Sequence, residues 1–119
     1  SDELGLPEEF IRELVEYGLV RPTKGGEGLE LHAADVEIAH AGWALRPGGI
    51  VPRHLRMFES FAEREAGLFG QVLMPAARHR TPEARQRVVE SLEEMTEAVE
   101  ELKGLMLRRT LRDEFEDLM

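Results

Sequence analysis

Residues 81–115 read TPEARQRVVESLEEMTEAVEELKGLMLRRTLRDEF, and this stretch decides the fold. Thr81 can accept a hydrogen bond as a helix N-cap. Pro82 suits the first helical position because its φ is fixed and its missing N–H is not needed there. No glycine or proline follows before Gly104, so the pattern predicts one long helix from Thr81 to about Phe115.

Apolar residues recur along this helix at alternating spacings of four and three. That pattern is typical of a helix packed against another helix. Glutamates fill the other faces and predict an acidic, solvated side. The pattern does not decide whether the partner helix belongs to the same chain or to a second copy. The predicted dimer seam consists of Val88, Leu92, Met95, Val99, Leu102 and Met106.

The chain has 119 residues, a formal net charge of −9 and no cysteine. Its length predicts a single domain with a modest core. The lack of cysteine excludes disulfides, thiolate zinc sites and cysteine nucleophiles from this chain. It contains no run of roughly 18 apolar residues and no signal peptide, so we expect a cytoplasmic protein with no membrane partner. Because a helix follows Ser1 almost at once, we expect a piece of a longer protein.

Positive charge is concentrated in the middle of the chain. Residues 46–87 contain eight arginines and four glutamates, whereas residues 1–45 and 88–119 each contain ten acidic side chains. An acidic chain is a poor non-specific DNA binder, because affinity for DNA rests on neutralised phosphates. A helix start and guanidinium groups both favour anions, so one hypothesis is an anion or partner site. The alternative is ion pairing with Glu59, Glu63 or the long helix. The residues concerned are Arg46, Arg53, His54 and Arg56.

Short helices and glycine-rich turns precede the long helix. A first helix is predicted to end at Gly18, and residues 19–21 and 29–31 to pair as a hairpin around a flexible turn. A second helix covers 33–45, and a third begins near Ile50 and continues past Pro75. The predicted fold is mainly α, with short helices and a possible small β-hairpin over 1–65 and a helical hairpin or coiled coil over 66–119.

Catalytic and metal sites are not indicated. Ser60 and Ser91 lie inside predicted helices without a partner base, so we do not expect an enzyme. The four histidines lack the spacing of a metal site, and no cofactor is expected. Three aromatic residues are predicted to lie in the core. The alternative is that they line a groove for a small anionic effector. They are Trp43, Phe58 and Phe61.

The order of these elements resembles the winged helix-turn-helix of the MerR family of bacterial regulators. A helix, a Gly-Leu turn with proline, a glycine-rich wing and an acidic residue opening the next helix all occur over about residues 6–65. Arg12 matches the family's arginine, but Glu13 and Leu14 stand where two tyrosines would be. Leu29, Glu30 and His32 replace tyrosine, arginine and tyrosine in the wing. A glutamate in place of an arginine at a phosphate contact repels DNA, so the resemblance implies a scaffold without the DNA-reading chemistry.

Further motifs are similar to a degenerate winged-helix region that some actinobacterial MerR-like regulators carry behind their DNA-binding domain. The resemblance implies a C-terminal regulatory or oligomerisation region. The matching segments, in order, are Glu16-Tyr17-Gly18-Leu19, Pro52-Arg53-His54-Leu55-Arg56, Arg64-Glu65-Ala66-Gly67-Leu68, Gln71-Val72-Leu73-Met74-Pro75 and Arg78-His79-Arg80-Thr81-Pro82-Glu83-Ala84-Arg85.

Three functional hypotheses follow. The first is an interaction module through which a MerR-like transcription regulator forms a homodimer, with DNA bound by a domain outside this sequence. The second is a receptor for a small anionic effector. The third is accessory DNA binding through the arginines between Arg53 and Arg64, which requires a steep salt dependence.

Overall fold

The computed structural model describes residues 4–26 and 28–118, with Leu29 described by its backbone alone. Two short 3-10 turns, Arg46–Gly48 and Glu116–Leu118, accompany the regular elements. The elements in chain order are α1 (Glu8–Glu16), β1 (Thr23–Gly25), β2 (Gly28–Glu30), α2 (Ala33–Trp43), α3 (Pro52–Ala77) and α4 (Pro82–Glu114). The predicted fold class, mainly helical with a small hairpin and a long C-terminal helix, is confirmed.

The chain divides into two compact units. Ser1–Arg64 forms the N-terminal unit and Glu65–Met119 forms the C-terminal unit. The division falls within α3, so this helix contributes its first half to one unit and its second half to the other. In the described ranges, no helix combines the length and the apolar character that a membrane crossing requires.

A small apolar core holds the N-terminal unit together. Two acidic residues, Glu8 and Glu9, occupy the first turn of α1, where the positive end of the helix dipole favours them. Phe10 and Leu14 project from α1 into the core, and Leu14 is completely buried. Residues from α2, α3 and the segments flanking α1 complete it. The buried core residues are Leu6, Phe10, Leu14, Leu19, Val20, Ala39 and Leu55.

A glycine turn ends α1 and directs the chain into the core. Gly18 adopts a φ of 73°, a left-handed conformation that costs glycine little. The N–H groups of Leu19 and Val20 both donate to the carbonyl oxygen of Leu14, at 2.8 and 3.4 Å. The turn therefore satisfies a free carbonyl at the helix end and buries the two following side chains.

The predicted pairing of residues 19–21 with residues 29–31 is wrong. The antiparallel hairpin joins β1 to β2 instead, with Thr23 opposite Glu30 and Gly25 opposite Gly28. Leu19 and Val20 are unavailable to a strand because their N–H groups close α1 and their side chains lie in the core. The segment predicted as a flexible turn therefore provides the first strand.

Side-chain hydrogen bonds fix the start of α2. His32 Nδ1 accepts from the Ala34 N–H at 3.3 Å, and Asp35 Oδ2 accepts from the Arg21 N–H at 2.9 Å. The second bond connects the segment after α1 to the first turn of α2. At the other end of α2, a Cβ on Gly42 would lie 3.0 Å from Leu55 Cδ1, so a small residue permits this close packing.

The C-terminal unit is a hairpin of the second half of α3 and α4. Thr81 caps α4, because its Oγ1 accepts from the Ala84 N–H at 3.1 Å. Lys103 Nζ lies 2.9 Å from Glu65 Oε1 and joins the two helices. Glu65, Phe69 and Leu73 share one face of α3 at spacings of four and are half-buried.

We expect Leu14→Ala to lower the free energy of unfolding by about 2–5 kcal/mol, because it removes a fully buried side chain and leaves a cavity. Urea denaturation followed by circular dichroism measures this change. Val15→Ala is the matched control, since Val15 follows directly in α1 and is 40% exposed. An equal loss in both variants would contradict the central position of Leu14.

We expect Thr81→Ala to destabilise the protein by about 1 kcal/mol, because the first turn of α4 loses its side-chain acceptor. Thr81→Ser keeps the hydroxyl and is expected to retain most of that stability. Thermal unfolding of both variants gives the comparison. If serine were as damaging as alanine, the hydrogen bond to Ala84 would not be the source of the effect.

Candidate interaction site

The structure divides the predicted seam on α4 into two sets. Val88, Met95 and Val99 are half-buried. Leu102 and Met106 are 50% and 44% exposed, and Leu92 is also exposed. Half of the seam therefore offers its apolar surface to solvent.

The last third of α4 carries a further apolar face that the seam pattern missed. Leu107, Leu111 and the C-cap residue Phe115 follow one another at spacings of four, which places Leu107 and Leu111 on one side of the helix with Phe115 directly after its end. All three are exposed. Their spacing was visible in the sequence, but they do not continue the alternation that begins at Val88. Together with the exposed seam residues, they make this part of α4 apolar on two sides.

An aromatic and arginine cluster lies at the end of α2. The Trp43 ring meets the Phe10 ring edge-on, with centroids 4.8 Å apart. The Arg46 guanidinium lies over the Trp43 ring, 4.9 Å from the ring centroid. A cavity of about 350 Å³ adjoins it, lined by Trp43, Arg46, Pro47 and Val51.

Phe58 and Phe61 form a separate pair on α3. Their ring centroids are 6.4 Å apart in an edge-on arrangement, and both side chains are exposed. A core role for these two rings is therefore wrong, because neither is covered within the described structure. No ring contact joins either of them to Trp43 among the described residues. The three aromatic residues of the predicted effector groove belong to two different clusters.

Two of the basic residues at the start of α3 have partners of their own. His54 Nδ1 accepts from the Val51 N–H at 3.0 Å, so this histidine caps α3. The Arg56 guanidinium lies 5.9 Å from the Tyr17 ring centroid. Arg53 is exposed. His54 and Arg56 therefore contact different parts of the N-terminal unit.

The ion pairs expected for these arginines do not form within the described ranges. Glu59 lies 3.7 Å from the guanidinium of Arg21, which is outside the predicted set. Arg46, Arg53 and Arg56 have no carboxylate within ion-pair distance among the side chains that the structure describes. Their charges therefore remain available to a partner or an anion.

A metal centre is not among the candidate sites. Within residues 4–26 and 28–118, no three histidine, aspartate or glutamate side chains gather closely enough to hold an ion.

Comparison with known proteins gives one family. The family model described as Rv1828-like, C-terminal domain matches residues 1–115, which is almost the whole chain. A comparison with curated proteins finds no match.

Proposed function

Because the chain belongs to the Rv1828-like C-terminal domain family, we propose that it is the oligomerisation and regulatory region of a MerR-like transcription regulator. The family's description as a C-terminal domain supports a position behind other parts of a longer protein. The substitutions at DNA-facing positions, Glu13, Glu30 and His32 among them, support a role other than reading DNA.

The exposed apolar side of α4 carries this proposal. Leu92, Leu102 and Met106 continue the line of half-buried seam residues but remain in solvent. Contiguous exposed apolar surface on a water-soluble domain marks an interaction site. Full burial of one such side chain contributes about 1.5–3 kcal/mol, so pairing of several of them is enough to drive association.

The distribution of charge along α4 favours a second copy of the same chain as the partner. Glutamates at 90, 93, 94, 97, 100 and 101 dominate its middle. Arg108, Arg109 and Arg112 follow near its end. In an antiparallel pair, the arginines of one copy face the glutamates of the other, whereas a parallel pair opposes like charges. We therefore propose an antiparallel homodimer centred near Gly104, between the exposed seam residues Leu102 and Met106, so that the three arginines of one copy face residues 96–100 of the other.

A second candidate function is binding of a small anionic effector. The observation that favours it is the guanidinium of Arg46, which lies over Trp43 at the edge of a cavity and has no ion-pair partner among the described side chains. A ligand that binds only the folded state raises the melting temperature. A thermal-shift screen of anionic metabolites tests this candidate, and the absence of any shift would argue against it.

We expect sedimentation equilibrium to show a dimer, because the exposed seam needs a partner. The double variant Leu102→Glu/Met106→Glu places charges in the seam and is expected to raise the dimer dissociation constant at least ~100-fold, since about 1.4 kcal/mol corresponds to each factor of ten. The measurement covers a wide range of protein concentration.

Leu107→Glu is the matched control for the seam variant. It lies on the same helix with similar exposure but points to a different side. We expect this variant to remain dimeric. Dissociation by Leu107→Glu alone would move the interface to the face that contains Leu111. A wild-type monomer at all concentrations would reject the homodimer.

A further inference from the structure

The cavity beside Trp43 has mostly apolar walls. Trp43 is the last residue of α2, Pro47 lies in the following 3-10 turn, and Val51 directly precedes α3. The volume of about 350 Å³ falls in the range of small-ligand sites. Three of its four lining residues offer carbon surface, and Arg46 offers the charge. This composition suits a ligand with an apolar body and one anionic group.

The Trp43 ring is held in place by a contact with the core of the N-terminal unit. The buried ring of Phe10 contacts the indole edge-on, and Phe10 belongs to the core of the N-terminal unit. The indole itself is half-buried. A side chain fixed in this way loses little conformational freedom when a ligand binds, so the wall is preorganised.

Arg46 provides the anion-binding group. Its guanidinium lies over the Trp43 ring, which favours a cation at its face. The N–H donors of a guanidinium lie in its plane, and two of them match the two oxygens of a carboxylate. No carboxylate of the described chain lies within ion-pair distance of Arg46.

We propose that this cavity binds a small organic monocarboxylate whose apolar part lies against Trp43, Pro47 and Val51. A carboxylate is favoured over a phosphate dianion because, among the described residues of the lining, Arg46 alone is charged. This inference rests on the second candidate function, effector binding. It is independent of the homodimer, whose seam belongs to the C-terminal unit.

Intrinsic tryptophan fluorescence reports ligand binding at this site, because Trp43 is the one tryptophan of the chain. The probe is phenylacetate, which combines an aromatic body with a carboxylate. Titration of the full chain is expected to change Trp43 fluorescence saturably, with half-saturation at about 1 mM or below, as for a fragment-sized ligand. Phenylacetamide lacks the charge and acetate lacks the apolar body. Both are expected to bind at least about tenfold more weakly, a loss of roughly 1.4 kcal/mol.

Arg46→Gln is expected to weaken phenylacetate binding at least about tenfold, because it removes the charge and the paired donors. Arg46→Lys keeps the charge without the planar fork and is expected to restore only part of the affinity. Arg80→Gln is the matched control, since it removes an exposed arginine in the other unit. Circular dichroism of each variant verifies that it is folded.

Three results would overturn the proposal: no saturable change with phenylacetate, equal binding of phenylacetamide, or unchanged binding by Arg46→Gln. The thermal-shift screen with anionic metabolites distinguishes failure of the monocarboxylate proposal from failure of effector binding as a whole. If an anion without a carboxylate raises the melting temperature and Arg46→Gln abolishes the rise, effector binding stands and the carboxylate class is wrong. If no anion raises it and phenylacetate does not bind, both are wrong.

Discussion

The position of Leu14 is the constraint on which the N-terminal unit depends. Its side chain is completely buried in the core, and its carbonyl oxygen accepts two N–H groups from the turn that follows α1. The same residue therefore anchors the core and sets the path of the chain after Gly18. Phe10, one turn earlier on α1, continues the core to the Trp43 ring. The face of α1 that carries Phe10 and Leu14 therefore supports the Trp43 side of the proposed ligand cavity.

In the C-terminal unit, the main constraint is the unequal length of the two paired helical segments. α4 is 33 residues long, but the second half of α3 that pairs with it ends at Ala77 and begins at Glu65. A shorter helix cannot cover the apolar residues along the whole of a longer one. The ion pair between Lys103 and Glu65 joins α4 to the first residue of this half of α3. Beyond it, the apolar residues from Leu105 to Phe115 are exposed, and Val89, Leu92 and Leu102 are exposed before it.

Local signals predicted the elements well, whereas features set by distant contacts were missed. The start of α4 was predictable because capping by Thr81 depends on three neighbouring residues. The hairpin register was wrong because burial of Leu19 and Val20 depends on α2 and α3. At the site, the seam spacing was visible, but its division into covered and exposed residues depends on what each packs against. The stacking of Arg46 on Trp43 follows from the turn after α2, which periodicity does not describe.

The boundary between the two units lies inside α3, and this has a consequence for how the gene can be divided. Most domain boundaries fall in exposed linkers, where separation leaves each part intact. A break between Arg64 and Glu65 instead creates two new helix ends, with up to four unpaired carbonyls on one side and up to four unpaired N–H groups on the other. Neither half of the chain is therefore an interchangeable module. An insertion or recombination event is tolerated more readily in the turns that flank α3 than within it.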